Sequence, residues 1–454
     1  MTKMDNAPMA DTGDSDLTDS AAALVEAALK AGADAADAVV MRSASMAVSV
    51  RDGKVENTEA AESDDFSLRV FVGKRVASVG ATPSSNRMAL AERAVAMARV
   101  SPEDSWQGLA EDALLARAIP DLDLLDTTTP DAAELTEIAL AMEAACMAVE
   151  GVTKSGSASA SSGRGGMVLV TSNGFSGSYS ASRFARSVSA IAGEGTGMER
   201  DYDFSYRLHY GDLEAPEPIG RRAGERAVRR IGARKAKTGT VPVVFDPRVA
   251  RSIAGHLSGA INGASVARKS SFLKDSMGKQ VAAANVRFID DPLIARGTGS
   301  RPFDGEGMTG SRLAMVEDGV LKHWFLASPQ ARQLGLATNG RASRSGSSMT
   351  PSSTNTWLEP GTATPQELIA SVANGFYVTE VFGQGVNMVT GEYSRGASGF
   401  WIENGEITYP VSEVTIASNL KDMFLRMVLA NDLDRSFSTA APTLLIEGMT
   451  LAGQ

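Results

Sequence analysis

Apolar positions along this chain change period several times, and each change predicts a new element. Helical spacing runs from a capping Thr18 or Asp19 to Lys30, with Gly32 behind it, which predicts a first helix. Alternation over 36–42 and 45–51 predicts strands, Asp52-Gly53 opens a turn into a strand over 54–58, and 66–72 with 75–79 forms a second hairpin across Gly73-Lys74. Two more helices, at 86–99 and 130–149, follow from apolar periodicity. Beyond Gly151 the alternating runs 152–161, 167–171 and 176–192 read as a meander whose Ser and Ala side chains allow close packing against another layer.

A helix over 216–231 leads into a second lobe. That lobe opens with a strand at 241–245, the turn Asp246-Pro247 and a helix from 248 to about 263. Short strands are expected at 286–289, 312–316 and 320–323, with Asp318-Gly319 turning between the last two. The Ser-, Gly- and Arg-rich stretch 339–356 has scarcely an apolar residue and reads as a mobile loop or a bridge to a partner. A helix at 365–372, a strand at 375–381, a glycine-rich stretch over 382–410, a helix at 416–428 and a strand at 442–446 complete the chain. The pattern predicts an α+β protein: a disordered tail over 1–16, an N-terminal lobe of helices on an antiparallel sheet over 17–235, and a C-terminal lobe over 236–454 that is largely β with flanking helices. Two lobes also suit 454 residues, since a single core stops growing at roughly 250–300.

Charge removes one class of function. A net charge of −10 argues against a general nucleic-acid binder, because phosphate affinity rests on clustered Lys and Arg. The one basic run, from Arg221 to Lys237, carries Ala223, Ala227, Val228 and Ile231 at helical spacing, so it reads as the solvated face of a helix. Cys146 is the only cysteine, and its apolar helical setting predicts a buried, inert thiol. With no apolar signal core at the start and no run of membrane-spanning length, no membrane association is expected and the cytoplasm is the expected compartment.

The glycine-rich stretch concentrates the candidate binding residues. Its hairpin is predicted over 398–409, with Asn404-Gly405 at the turn. Glycine-rich edges let an extended peptide lie close to the backbone and add as a strand, so Gly383, Gly385, Tyr393, Arg395, Gly396, Phe400 and Trp401 are candidate peptide- or partner-binding residues. The competing reading makes the glycines turns and the aromatics core. Arg395 is expected to bond a carboxylate or strand-end carbonyls. Asp290, Asp291, Asp304 and Glu306 are oxygen donors for a divalent ion, weighed against the commoner role of Asp beside Gly in turns. The clusters Gly297–Pro302 and Gly163–Gly166 lack the Lys-Ser/Thr of a phosphate loop and read as turns. No Gly-x-Ser-x-Gly elbow follows a strand with a plausible downstream His. A zinc hydrolase needs converging ligands, and His209, His256 and His323 are widely separated in the chain.

Four segments carry a family resemblance. Gly391-Glu-Tyr-Ser-Arg-Gly-Ala-Ser-Gly-Phe-Trp-Ile-Glu-Asn-Gly405 and its continuation to Met423, Gly255-His-Leu-Ser-Gly-Ala-Ile-Asn-Gly263 continuing to Leu273, Arg301-Pro-Phe-Asp-Gly-Glu-Gly307, and the terminal Ala452-Gly-Gln454 closely resemble the TldD/PmbA family, once called modulators of DNA gyrase, in its PmbA (TldE) branch. The other branch, TldD, is similar but carries His-Glu-x-x-x-His on a helix and a cysteine ligand near the C-terminus. Against that motif His256 falls at the first histidine with Leu257 and Ile261 at the next two places, or one residue over, with Gly255, His256 and Ala260 at the three places; Ser438–Thr443 stands near the cysteine.

The resemblance implies a subunit with no catalytic or metal-binding residues of its own, His256 marking a degenerate zinc-helix position. It implies zinc in a TldD-like partner, a heterodimer with that partner, and action on unfolded or small peptides, as in peptide maturation and antitoxin degradation. A homodimer is expected for the chain alone, through the second lobe, with Phe400 and Trp401 as anchors. The alternative is a non-enzymatic homodimeric peptide-binding or scaffold protein. The two differ in whether a chain with His-Glu-x-x-x-His is encoded nearby and co-purifies.

Overall fold

The computed structural model describes residues 14–82, 85–345 and 348–453. The tail expected over 1–16 lies, up to residue 13, outside them, and α1 (Asp14–Lys30) starts earlier than the pattern suggested. Then come β1 (Ala35–Arg51), β2 (Lys54–Val72), β3 (Arg75–Ala81), α2 (Arg87–Val100) and α3 (Ala132–Met147). β4 (Val152–Thr171), β5 (Ser176–Ala192), β6 (Glu199–Arg207) and α4 (Pro216–Arg229) complete the first half.

Its six strands form one antiparallel sheet in the order β3-β2-β1-β4-β5-β6. Each turn obeys local chemistry: Asp52 and Gly53 both take positive φ, 53° and 69°, as a tight hairpin requires. Helices cover one face at its two ends. α1 and α2 bury Val40, Leu68 and Val79 at one end, and α3 and α4 bury Val48, Ala160 and Val188 at the other. The small side chains of this half permit close approach: a Cβ on Gly224 of α4 would meet Val149 at 2.8 Å. Cys146 is buried there, and burial first, then the Glu143 charge, pushes its thiol up to about 11, which keeps it protonated.

Two predicted breaks in this sheet are absent. β2 continues through 59–65, although those residues are polar on both faces, because β1 pairs with them residue by residue, as at Ala47↔Glu59 and Met41↔Asp65. β4 continues through Gly163–Gly166, which are strand rather than turn, flanked by β1 and β5. β6 was not predicted.

The second half contains β7 (Gly239–Phe245), α5 (Pro247–Ala260), α6 (Gly263–Ala267), β8 (Phe288–Asp291), β9 (Leu313–Glu317), β10 (Val320–Leu321) and α7 (Ser328–Leu334). β11 (Ala342–Ser345), β12 (Ser348–Pro351), β13 (Asn355–Leu358), α8 (Pro365–Ala370) and β14 (Asn374–Phe382) follow. The chain ends with β15 (Glu392–Glu403), β16 (Glu406–Asn419), α9 (Leu420–Arg426), β17 (Met427–Leu429), β18 (Thr439–Ala440) and β19 (Leu444–Ala452). Strands β16-β15-β14-β7-β19 form a ring, since β19 pairs back onto β16 through Thr415↔Ala452, Ile416↔Leu451 and Ala417↔Thr450. Phe245, Phe376, Ile416 and Leu451 share its main core with Ile253 and Leu257 of α5. β10-β9-β8-β13-β18 is a separate sheet. The hairpin turn at Asn404-Gly405 has positive φ at both residues, 51° and 81°.

Two expectations here need correction. The helix predicted over 416–428 is the end of β16, then the short α9, then β17; barrel closure claims Ile416 as a strand residue. The segment 339–356, expected as a mobile loop or a bridge to a partner, carries regular structure of its own among the described residues. It contains β11 and β12, which pair as a hairpin, and two of its arginines bind within this chain. Arg341 is fully buried and bonds Asp290 at 2.7 Å, while Arg344 reaches Asp37 of β1. The two halves therefore pack through the sheet's other face, where Phe303 meets Phe175 and Tyr179 edge-on at 5.0 and 5.2 Å. No helix among the described residues is long and apolar enough to cross a membrane.

Candidate functional site

α5 begins at a strong local signal: Asp246 caps Arg248 N–H at 3.0 Å and Pro247 occupies the first turn. Its apolar side, Val249, Ile253, Leu257 and Ala260, is buried in the barrel core, so Arg248, Arg251, Ser252, Gly255 and His256 fall on the other side. The His256 ring lies edge-on to Tyr393 of β15, with centroids 6.0 Å apart. Its Nε2 and the Tyr393 hydroxyl are both buried without a hydrogen-bond partner. Burial, and then the charge of Arg395, lowers the histidine pKa and so keeps the ring neutral.

Three of the motif places around His256 belong to the core, while Gly255 is exposed. Leu257 and Ile261 have no exposed surface, and in the other register Ala260 has none either. A carboxylate or imidazole at those positions would point into hydrocarbon. Among the described residues no three His, Cys, Asp or Glu side chains converge to hold a metal ion. The α5 residues, with core side chains at those places, do not fit the zinc-helix arrangement of the other branch. His209 and His323 lie in connecting segments far along the chain from α5, after β6 and β10; His209 Nε2 sits 2.8 Å from the Asp123 carbonyl.

The glycine-rich stretch covers this helix. Phe272 N–H donates to the Met388 carbonyl at 3.0 Å, and the Met388 methyl would lie 3.3 Å from a Cβ on Gly259. Gly383 is exposed with φ 84° and open space around it. Gly385 and Gly396 are close-approach glycines: a Cβ would strike the Ser394 carbonyl at the first and the Phe382 ring at the second. Arg395 Nε donates to the Phe382 carbonyl at 3.1 Å, a strand-end carbonyl as expected of it. Tyr393 and Phe400 are buried within this chain rather than displayed on its surface. Tyr393 is 1% exposed inside the barrel, and Phe400 is 7% exposed beneath the Arg229 guanidinium, 5.0 Å from its ring centroid. Trp401 is half-buried against the main core.

The acidic set is likewise structural. Asp290 is buried against Arg341 and Thr354, and Asp291 accepts from Leu293 N–H at 3.0 Å. Asp304 accepts from the amides of Glu306, Met308 and Ala342 at 2.9, 3.1 and 2.9 Å. Glu306 is held by Ser328 N–H at 2.8 Å, with its other oxygen buried and unpartnered. Burial first, then the Asp304 charge, pushes Glu306 up to about 7. Burial raises Asp304 as well, and the amides of Ala342, Met308 and Glu306 work against that rise by favouring its charged form.

Two segments singled out in sequence do meet. β18, within the Ser438–Thr443 segment that stands near the TldD-branch cysteine, packs alongside α5. Between them and β6 lies a cleft of about 210 Å³, with Arg251, Phe437 and Thr439 among its lining. Sequence reasoning missed its first-half wall. β6 alternates acids with aromatics, Asp201-Tyr-Asp-Phe204, and Asp203 binds Arg222 and Arg226 of α4 at 2.7 Å each. The basic run is thus partly packed onto acids rather than fully solvated; Arg230 is 6% exposed and bonds Glu380 at 2.7 Å. Alternation at Arg200–Tyr206 was the available signal.

The comparisons with known proteins agree with this architecture. Models of the PmbA/TldA metallopeptidase match over residues 36–98 for domain 1, 126–231 for the central domain and 238–453 for the C-terminal domain. The chain belongs to the PmbA/TldD family. It is 37% identical over 427 residues to the metalloprotease PmbA of Escherichia coli O157:H7, covering 93% of each chain. A Bacteroides thetaiotaomicron VPI-5482 protein described as a modulator of DNA gyrase superposes with a TM-score of 0.90 at 26% identity, over 97% of this chain and 100% of that one. TldE from Thermococcus kodakarensis shares the fold, with a TM-score of 0.79 at 19% identity over 95% and 99%.

Proposed function

We propose that this chain is the PmbA/TldE-type subunit of a heterodimeric metalloprotease that acts on unfolded or small peptides in the cytoplasm, the zinc being held by a TldD-like partner. One observation carries the reading: the place of the second histidine falls on a core position in either register, Ile261 at the end of α5 or Ala260 within it, and neither register supplies the glutamate, since Leu257 or His256 stands there. Family membership supplies the peptidase context, and TldD homologues of Buchnera aphidicola and Haemophilus influenzae match about half of this chain. The arrangement of α5 under the 382–391 loop retains the scaffold of a site without its chemistry, as suits a subunit that completes a cavity.

The test is co-expression with a chain carrying His-Glu-x-x-x-His, followed by affinity purification, elemental analysis and a peptidase assay on an unfolded peptide. The isolated chain is expected to hold no stoichiometric zinc and to cleave nothing, while the pair does both. About one tightly held zinc per isolated chain, lost in His256→Ala, would sink the assignment. Failure of any such partner to co-purify would favour the homodimeric scaffold instead.

A further inference from the structure

The cleft between β6 and the α5–β18 face has arginines that its acids do not occupy. Its lining includes Arg207, Arg222, Arg226, Arg248 and Arg251 against Asp203, Glu214 and Asp434. Arg222 and Arg226 are committed to Asp203, and Arg222 also to Glu214 at 2.7 Å. Arg248 is committed to Asp201 at 2.8 Å and Asp246 at 3.2 Å, while Asp434 accepts from Ser436 N–H in its own turn at 2.9 Å. Arg207 and Arg251 remain. Arg207 donates to the Tyr206 carbonyl at 2.8 Å and Arg251, through Nε, to the Arg248 carbonyl at 3.0 Å; among the described residues neither forms an ion pair, and the Arg207 charge acts on Glu214 from a distance.

Arg251 is nevertheless held in place. Its guanidinium lies over Phe437 at 4.7 Å and over Phe204 at 5.5 Å from the ring centroids, which fixes its plane and leaves its two terminal nitrogens free to donate. Beyond Arg251 the cleft continues into a more open hollow of about 370 Å³, lined by Tyr206, Thr298, Phe437, Ser438 and Thr439. Apart from Arg251 that hollow has no charged lining. The shape is a cationic end joined to an aromatic and hydroxyl channel, which suits an extended chain ending in one carboxylate better than a small polyanion.

The geometry points to a binding site for the carboxylate terminus of a peptide, gripped by Arg207 from the first half and Arg251 from the second, with the preceding residues lying along the Tyr206–Ser438 hollow. This rests on the reading that the chain handles peptides. It adds a polarity to that handling, since only one end of a substrate would be recognised.

Fluorescence anisotropy on the full chain tests it, with a short unstructured peptide labelled at its N-terminus and prepared as the free acid and as the C-terminal amide. Charge-assisted bonds to a carboxylate are the strong class, so the acid is expected to bind at least about tenfold more tightly than the amide. Arg251→Gln and Arg207→Gln should each remove most of that preference without weakening the amide, and Arg251→Lys should restore part of it. Thermal melting identifies a variant that fails to fold, in which case the other substitution decides. Equal affinities, no detectable binding of either peptide, or a preference that survives both substitutions overturns the site. Inorganic phosphate that displaces the acid peptide at equal or lower concentration, with the same arginine dependence, overturns the peptide assignment in favour of a small-anion site. A preference that persists when no zinc-bearing partner can be found refutes the subunit role alone, whereas its absence beside intact partner-dependent cleavage refutes this site alone.

Discussion

The Asp37 cluster and the His256–Tyr393 pair are both buried, and they treat polarity in opposite ways. At the contact between the two halves, Asp37 receives Arg69 of β2 and Arg344 of β11, and all three side chains are nearly inaccessible. In the barrel, His256 and Tyr393 face each other with unpartnered polar atoms, under a loop rather than under a second domain. A charge in a dry interior must be met, because leaving it alone costs several kcal/mol, whereas a neutral hydroxyl or imidazole without a partner costs about 1–3 kcal/mol. The first centre is therefore a requirement of the fold. The second is a place where the fold tolerates a deficit, as expected where selection maintains something other than stability.

The largest effect on this contrast is expected from Asp37→Ala, which removes the buried carboxylate that Arg69 and Arg344 share. A loss of about 3–5 kcal/mol is expected in urea unfolding. Burial alone would raise the Asp37 pKa, but Arg344 and Arg69 outweigh it and hold the carboxyl below its usual range. A depressed folded pKa means that the contribution is fully present above the unfolded value near ~3.9 and is lost as pH falls through the folded one. An Asp37→Ala variant as stable as the parent at pH 7 would show that the cluster is dispensable.

Next in size is Glu306, which lies close enough to the first centre for Arg69 to affect its charge. Its folded pKa, pushed up to about 7, lies above the unfolded value. The native state then holds a proton that the unfolded chain has released, so stability falls as pH rises from roughly 4.5 to 7 and levels off above that. Glu306→Gln keeps an oxygen for Ser328 N–H and removes the titration. A gain of about 2–3 kcal/mol at pH 8, shrinking toward zero near pH 4.5, is expected from denaturation curves at several pH values. A gain independent of pH would mean that Glu306 does not titrate in that window.

The smallest expected effect sharpens the second centre. Tyr393→Phe removes a hydroxyl that has no partner, so stability should change by less than about 1 kcal/mol, in either direction. A loss of about 2 kcal/mol or more in the melting curve would reveal a hydrogen bond to that hydroxyl and remove the contrast with Asp37.

Both centres were hard to see in sequence, for related reasons. Asp37 lies in a short alternating run, and Arg344 in a stretch that looks like loop; their 307-residue separation hides the pairing. His256 was visible as a helical histidine beside motif positions lacking ligands, but not its orientation toward Tyr393 on β15. The bond from Arg395 to a strand-end carbonyl is legible because Phe382 and Arg395 lie close in the chain, whereas the burial of Phe400 depends on Arg229, which comes from α4.

Features governed by neighbours within a few residues were determined by the sequence alone. The turns at Asp52-Gly53, Asp318-Gly319 and Asn404-Gly405 follow from residues that accept positive φ, and the Asp246-Pro247 start of α5 follows from capping. The loss of zinc-motif residues around His256 is also a fact of sequence. Tertiary structure decided what depends on distant partners: that the polar stretch 59–65 is strand, because β1 supplies its ladder, and that Ile416 is strand rather than helix, because Leu451 closes the barrel opposite it. It decided, too, that Arg341 is buried, because Asp290 awaits it, and that the Arg251 guanidinium lies across two phenyl rings from opposite halves of the molecule. Local chemistry sets where a chain turns; desolvation and pairing across the fold set which polar groups are interior, and only the folded molecule brings those partners together.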